Sequence, residues 1–362
     1  MGNKLWFMGL FVSLADIIKT ELAKIIEQLM FARVANACVR WVNRTVRRGL
    51  GFANADASNN FYKLYFNAGW VPIEIVTNGI VALICVIGIS LNMSLCYVTI
   101  KAKSIHQRCN ILIALYAFFA SFLLIGNCIK FFIFLFGINF ITLDICFYIQ
   151  IIPLIGSTFG IMLQLCIGID RLVAVAFPYW YQWRGKFLLF KILIAICCFR
   201  ATFCACYVYY GSSKHWKSPV MCNSGDPARQ PETLNLTNIN TLFTYCGEFL
   251  CYATIWVICL HKKSQITEKV KRLVISLSVL MSIGLLCFIG NLIFAQMIMP
   301  LLSLNMFTVE YIVSPICICI FVMAYGSNAP VLYFCSIEYR RAFRKHLLNK
   351  AQQSTTVVTT LH

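Results

Sequence analysis

Charged side chains are scarce in this chain: Asp, Glu, Lys and Arg together make up 12% of its 362 residues. Soluble domains contain about 25% charged and about 45–50% apolar residues, whereas 60% of this chain is hydrophobic and its mean hydropathy is +0.77. So much apolar surface needs either lipid or an unusually large core to cover it. The composition therefore argues against an ordinary soluble domain.

Patterns that carry enzyme or transport chemistry are also missing. The chain has no His-x-x-x-His pair, no Gly-x-Ser-x-Gly and no paired carboxylates inside an apolar run, and its five histidines, at 106, 215, 261, 346 and 362, are scattered. It shows no internal repeat of the kind found in many transporters. We therefore expect neither an enzyme nor a metal or cofactor site, and a transporter or channel is the weaker alternative.

Seven apolar runs are long enough to cross a bilayer, since a spanning helix needs about 20 residues. They cover roughly 75–100, 110–136, 146–169, 187–210, 240–260, 273–299 and 308–335. The sequence thus predicts an all-α membrane protein with a seven-transmembrane helix bundle over residues 73–335.

The net charge of +18 is unevenly distributed over the predicted loops. Lys and Arg cluster after spans 1, 3 and 5 and in the tail, whereas the loops after spans 2 and 6 contain none beyond Lys130 at a helix end. The positive-inside bias then predicts a multi-pass plasma-membrane protein with its N-terminus outside and its C-terminus in the cytoplasm. Basic inner loops fit anionic membrane lipid and an acidic protein partner, not nucleic acid.

Residues 1–72 differ from the rest of the chain, and we expect them outside the cell or on a membrane surface. Residues 1–15 are a candidate signal peptide, although a short one. Residues 16–48 have apolar side chains near helical spacing and a basic end, which predicts an amphipathic helix, and 49–72 form a polar linker. Three interpretations of the helix stay open: a membrane-surface helix, an extracellular cap, or a segment wrongly joined to the chain.

Nineteen cysteines would suggest a disulfide framework in a small secreted protein, but most of these lie within predicted spans. A free thiol there behaves as a small hydrophobic group. Cys146 and Cys222 are different, because both are predicted to lie outside, in an oxidising compartment. The sequon that begins at Asn235 falls in the same predicted outer loop as Cys222, which predicts a glycan on Asn235.

The third span ends in Asp170-Arg171-Leu172, with Pro178 seven positions after the arginine and Cys146 25 positions before it. At a rise of about 1.5 Å per residue, 25 residues cover about 37 Å, enough to reach the opposite membrane face. An Asp-Arg pair at this place, in a chain with seven spans, resembles the rhodopsin-like G-protein-coupled receptors. More narrowly, residues 108–115 and 167–172 are similar to the nematode serpentine chemoreceptors of the Srsx class.

The resemblance implies a conformational switch. Asn92 in span 1 matches the family's asparagine there, and the end of span 7 resembles its Asn-Pro-x-x-Tyr motif, with the asparagine displaced one position earlier. In family terms, Arg171 is held by Asp170 at rest and is freed to contact a heterotrimeric G protein. The switch residues so implied are Asp170, Arg171, Leu172, Pro178, Asn328, Pro330 and Tyr333.

The resemblance also implies features at both membrane faces. At the outer face, Cys146 stands where the family has its outer cysteine, and a disulfide to Cys222 would tie span 3 to the second outer loop. At the inner face, residues 336–362 comprise a short amphipathic eighth helix and a Ser/Thr-rich tail, which either allows arrestin-type regulation or is a plain disordered end. The apolar side of the eighth helix is predicted to carry Tyr339, Phe343 and Leu347.

Three positions depart from the family pattern. Ser121 occupies the place of the usual span-2 aspartate, which puts the family's sodium site in doubt, and Phe288 stands where tryptophan is common. With Asn92, these two residues form the predicted polar core of the bundle. Pro153 stands where amine receptors place an aspartate, so we do not expect an aminergic ligand.

The function that the resemblance implies is chemosensory: a small external ligand binds an outer-half cavity of the bundle, and a neuropeptide receptor is the alternative. The side chains predicted near that cavity are Pro153, Ser157, Thr158, Glu248 and Glu310. Each has a structural interpretation as well, because polar side chains often bridge helices and Glu310 stands near a helix end.

Two charged residues lie deep within predicted spans, where a charge costs about 2.5–3.5 kcal/mol. Counted along the predicted helices, Arg200 lies about 20 Å from the inner face and Glu248 about 12 Å from the outer face. In a core of about 30 Å these levels nearly coincide. We therefore expect Arg200 and Glu248 to pair, and either to order the bundle or to meet a polar ligand.

Overall fold

The computed structural model describes residues 68–106, 108–181, 186–261 and 313–348, with short stretches between 62 and 66 and between 278 and 294. The long helices are α1 (Pro72–Lys101), α2 (Arg108–Leu135), α3 (Leu143–Ala176), α4 (Lys186–Ser213) and α5 (Pro231–His261). Three shorter helices follow, α6 (Ser314–Gly326), α7 (Asn328–Cys335) and α8 (Ile337–Phe343). Short helical turns lie at Lys103–Ile105, Pro178–Trp180 and Asp226–Arg229.

Five of the described helices, α1 to α5, are long and apolar enough to cross a membrane, and α6 with α7 would form a sixth span. They cover predicted spans 1 to 5 and the described part of span 7. The described residues therefore form a helical multi-span membrane protein. Most of span 6, Phe288, Glu310 and the predictions for residues 1–61 lie outside the described residues.

The seventh span is bent by 49° between α6 and α7. Pro330, the third residue of α7, lacks a backbone N–H and cannot bond the carbonyl one turn earlier, which is a common cause of helix kinks. The bend separates an outer segment, α6, from the inner segment that carries the predicted switch residues.

The fifth helix begins at Pro231, nine residues before the predicted start of span 5. Proline is favoured at the first helical position because its fixed φ suits a helix and its missing N–H is not needed there. Asn235 consequently lies in the second turn of α5 and is half-buried, so the prediction that the sequon lies in a loop is wrong. Glycosylation of Asn235 itself stays a prediction.

Apolar side chains point outward along the helices, as expected of a surface that faces lipid. On α4 they recur near helical spacing, and Phe199 is 75% exposed. Other exposed apolar residues of α4 are Phe187, Leu188, Ile192, Ile196 and Phe203. In water such a stripe would be costly, whereas lipid tails cover it without penalty.

Small residues let the helices approach one another closely, as is common between membrane helices. A Cβ atom added to Gly326 of α6 would lie 2.9 Å from the Cα of Gly88 in α1. On α3, a Cβ atom added to Gly156 would lie 2.5 Å from the Cβ of Phe122 in α2. These glycines therefore set the separation of α1, α2 and α3 from their neighbours.

We expect Gly156→Ala to lower the stability of the bundle, because the new methyl group would collide with Phe122 and with the carbonyl oxygen of Phe119, 3.1 Å away. Overpacking of this kind costs about 1–3 kcal/mol. Gly160→Ala, one turn along the same helix, is the matched control, since its nearest neighbours would be 4.0 Å away. The measurement is the fraction of monodisperse receptor left after heating in detergent; equal midpoints for the two variants would contradict the prediction.

Candidate functional site

Asp170 and Arg171 lie near the C-terminal end of α3, where they form a buried ion pair. Nε of Arg171 donates to Oδ2 of Asp170 at 3.0 Å, and Nη2 of the same guanidinium donates to the same oxygen. Arg171 is 9% exposed. Removing one partner of a buried pair leaves the other charge uncompensated, which costs about 3–5 kcal/mol. The two residues are therefore held in one arrangement in this structure.

Tyr181 binds both members of the pair. Its hydroxyl donates to Oδ1 of Asp170 at 2.9 Å and accepts from Nη2 of Arg171 at 3.3 Å. Burial raises the pKa of Tyr181, and the Asp170 carboxylate acts in the same direction, so the hydroxyl stays protonated and able to donate.

Pro178 explains how Tyr181 reaches α3. It begins the helical turn Pro178–Trp180, and the backbone N–H of Tyr181 donates to the carbonyl of Phe177 at 3.0 Å. The sequence analysis singled out Pro178 but missed Tyr181, because a lone tyrosine in a loop carries no distinctive pattern. Leu172, beside Arg171, is half-buried against the apolar core.

Asn92 and Asn328 meet in the bundle core, although 236 residues separate them. Nδ2 of Asn328 donates to Oδ1 of Asn92 at 3.0 Å, and Nδ2 of Asn92 donates to the carbonyl of Tyr325 at 3.1 Å. The structure thus brings α1 together with the α6–α7 bend through one polar network. Ser121 is buried but donates to the carbonyl of Ala117 in its own helix, and the described hydrogen bonds do not join it to this network.

Tyr333 packs against α8. Its carbonyl accepts from Nε of Arg340 at 3.1 Å, and its ring meets that of Phe343 edge-on, with centroids 6.0 Å apart. Tyr339 and Phe343 are buried and Leu347 is half-buried against the core. One apolar side of Ile337–Phe343 therefore anchors this segment to the inner end of the bundle.

At the opposite end of α3, the Sγ atoms of Cys146 and Cys222 are bonded as a disulfide, 2.03 Å apart. Beside it, two short strands pair antiparallel, Ile141 with Val220 and Thr142 with Pro219. Nε2 of Gln150 adds a hydrogen bond to the carbonyl of Cys222 at 3.3 Å. The segment between α4 and α5 is thus fixed to the first turns of α3.

Four of the predicted ligand-pocket residues are described, Pro153, Ser157, Thr158 and Glu248, and they do not line one common cavity. Glu310 lies outside the described residues. Pro153 contacts α2 opposite Gly126, where an added Cβ would lie 2.7 Å from the proline Cβ. Ser157 and Thr158 both donate to the carbonyl of Leu154 in their own helix, at 2.8 and 3.0 Å. Successive helical residues point about 100° apart, so neighbours on α3 face different helices. Thr158 faces a cleft between α3, α4 and α5.

The predicted ion pair between Arg200 and Glu248 is wrong. Nη1 of Arg200 donates instead to Sδ of Met162 at 3.1 Å, and neither carboxylate oxygen of Glu248 has a hydrogen-bond partner among the described residues. A hydrogen bond between Asn240 and Cys204 fixes the register of α5 against α4. Since the two helices are antiparallel, Arg200 is level with Thr244, and Glu248 lies one turn, about 6 Å, further inward.

Glu248 instead lies in a group of tyrosines that the sequence analysis missed. The hydroxyls of Tyr245 and Tyr325 are 3.0 Å apart, joining α5 to α6. Glu248 interacts electrostatically with both and with Tyr116 and Tyr252. The residues come from three helices, so no local sequence pattern could have indicated the group.

A second cluster that the sequence analysis did not indicate lies at the N-terminal end of α1 and the C-terminal end of α2. Nζ of Lys130 lies 3.4 Å from Oε2 of Glu74, and Nδ2 of Asn78 donates to the same oxygen at 2.6 Å. All three side chains are buried. Glu74 and Asn78 are spaced one helical turn apart, and this spacing could have indicated their contact from the sequence. The predicted span began one residue too late to include Glu74.

Comparison with known families identifies this chain. Residues 85–347 match the family model described as serpentine type 7TM GPCR chemoreceptor Srsx. The match covers most of the chain, including α8 and most of α1, so the protein belongs to this family of serpentine chemoreceptors. A search of curated proteins found no match.

We expect Glu248→Gln to preserve or raise thermal stability, because the substitution removes a carboxyl group that is buried without hydrogen-bond partners among the described residues. Because Arg200 does not pair with it, a double-mutant cycle with Arg200→Gln should be additive within about 0.5 kcal/mol. Heat inactivation of each variant is followed by size-exclusion chromatography. The midpoints give the stability change of each single variant and of the double variant. A coupling energy well above 1 kcal/mol would contradict this prediction and indicate that Arg200 and Glu248 form an ion pair.

Proposed function

We propose that this protein is a plasma-membrane receptor that binds a small external ligand in the outer half of its bundle and activates a heterotrimeric G protein at its cytoplasmic face. Membership of a chemoreceptor family supports the class. The observation that carries the proposal is the ion pair of Asp170 and Arg171, closed by Tyr181 at the inner end of α3.

The mechanism is a shift between two conformations. A ligand can change this equilibrium only by as much as it binds one conformation better than the other. In the resting conformation Arg171 is occupied by Asp170 and Tyr181 and is mostly buried. In the active conformation the guanidinium leaves these partners and contacts the G protein.

The polar contacts among α1, α6 and α7 fit the same mechanism. Asn328 donates to Asn92 and to the carbonyl of Tyr325, immediately before the bend that Pro330 produces. A rearrangement of α7 would have to break or exchange these bonds. It would also move Tyr333, which packs on α8.

The ligand enters, in this proposal, beneath the outer loop that the disulfide fixes to α3. Glu248 and the tyrosines around it are the deepest polar groups that such a ligand could reach. A ligand that binds them would act on the contact between Tyr245 of α5 and Tyr325 of α6. Glu310 stays a further candidate for contact with the ligand, on the basis of the sequence alone. The proposal also places the N-terminus outside the cell and the basic loops against anionic lipid of the inner leaflet. An arrestin would bind the Ser/Thr-rich tail.

We expect Arg171→Ala to abolish ligand-dependent nucleotide exchange on the G protein while surface expression is retained. The test is a G-protein reporter in cells, screened with volatiles and peptides and normalised to surface receptor. An unchanged response in the Arg171→Ala variant would contradict the role of this residue.

We expect Tyr181→Phe to raise ligand-independent activity, because it removes a hydrogen bond to the Asp170 carboxylate and one from Arg171. A loss of about 1 kcal/mol from the resting state changes the ratio of the two states about fivefold. Tyr179→Phe is the matched control, since Tyr179 lies in the same helical turn and is 90% exposed. Equal basal activity in both variants would show that Tyr181 does not stabilise the resting state.

A further inference from the structure

A narrow cleft opens between α3, α4 and α5, and its lining includes Thr158 and Arg200. Its walls are mostly apolar, and Phe203 and Leu236 at its edge are 51% and 37% exposed. Because exposed apolar side chains of these helices face lipid, the cleft is open to the bilayer. Its polar lining includes Arg200 and Asn240.

Arg200 meets no carboxylate within ion-pair distance in the part of the chain that the structure describes. Its Nη1 donates to the thioether of Met162, a weak acceptor, and its Nε is buried without an acceptor among the described residues. Asn240 shows the same pattern, because its Nδ2 donates to the thiol of Cys204 at 3.3 Å. Among the described residues, the side-chain hydrogen bonds of these two donors go to sulfur atoms.

The depth of Arg200 makes this arrangement costly. Arg200 lies 14 residues from Lys186 and 13 from Ser213, so it is about 20 Å from either end of α4. A charge at the centre of a membrane helix costs several kcal/mol unless it is neutralised. A carboxylate is the natural partner, because the guanidinium fork binds both of its oxygens.

We propose that this cleft binds an amphipathic carboxylic acid that enters from the bilayer. Its carboxylate accepts from Arg200 and Asn240, which exchange their sulfur contacts for a stronger acceptor. Its alkyl chain lies along Phe203, Val208 and Leu236. The narrow cleft favours an unbranched chain. The depth of Arg200 favours a free acid, because its neutral form can enter the hydrocarbon core, whereas charged phospholipid headgroups stay at the membrane interface.

The site is distinct from the bundle cavity of the proposed function. Glu248 does not line the cleft, and binding there does not require that Arg171 couples to a G protein. The site can therefore be tested without a signalling assay, and its failure would leave the proposed function unaffected.

The test is photo-crosslinking of the full-length receptor in nanodiscs with decanoic acid that carries a terminal diazirine. Mass spectrometry should place the label on residues that line the cleft, in the segments 203–208 and 236–241. Excess decanoate should suppress the labelling, and decanol, which has the same chain without the charge, should not. Labelling spread over all lipid-facing helices, or suppressed equally by decanol, would overturn the proposal.

Two variants test the contacts, and one is a control. Arg200→Gln should reduce cleft labelling at least fivefold, and Thr241→Phe, which fills the cleft and leaves the charge, should also reduce it. Lys191→Gln removes a cation from the same helix, where Lys191 lies over the ring of Phe187, and should leave labelling unchanged. Monodispersity of each variant confirms its fold. If Arg200→Gln and Lys191→Gln label equally, Arg200 does not bind the acid.

Discussion

A charge placed among membrane helices is costly unless a partner neutralises it. This constraint explains how the described ionisable residues are arranged. Asp170 with Arg171 and Glu74 with Lys130 are paired and buried at opposite ends of the bundle. Arg200 and Glu248, which lie deeper, do not pair with each other. The first pair is held in one arrangement near the C-terminal end of α3. The described residues offer neither of the two deeper groups an ionic partner, which is the costly arrangement for an ionisable side chain.

Two polar networks lie among the described helices. Asp170, Arg171 and Tyr181 form one network, and Asn92, Asn328 and the carbonyl of Tyr325 form another. The first network joins the end of α3 to the short turn that follows it, whereas the second joins residues 236 positions apart. Both include side-chain hydrogen bonds, which can exchange partners. Such bonds suit an equilibrium between two states, whereas close-packed cores do not deform continuously.

Several features could be predicted from the sequence because they depend on local composition. The described helices α1 to α5 match predicted spans, since about 20 apolar residues suffice to specify a spanning helix. The bend near Pro330 likewise depends on one residue. The start of α5 was missed by nine residues, because polar residues extend that helix beyond its apolar run. That error of nine residues, about two and a half helical turns, placed Glu248 too close to the N-terminal end of its helix and produced the incorrect ion pair.

The sequence by itself determined that this chain spans a membrane, where its helices lie, and that an Asp-Arg pair ends the third of them. Only the tertiary structure decided which side chains meet. It joined Tyr181 to Arg171, placed tyrosines of three helices around Glu248, and left Arg200 in a cleft between α3, α4 and α5. The physical reason is that helix formation follows local composition, whereas contacts between helices depend on register and rotation. A shift of one residue turns a side chain by about 100°.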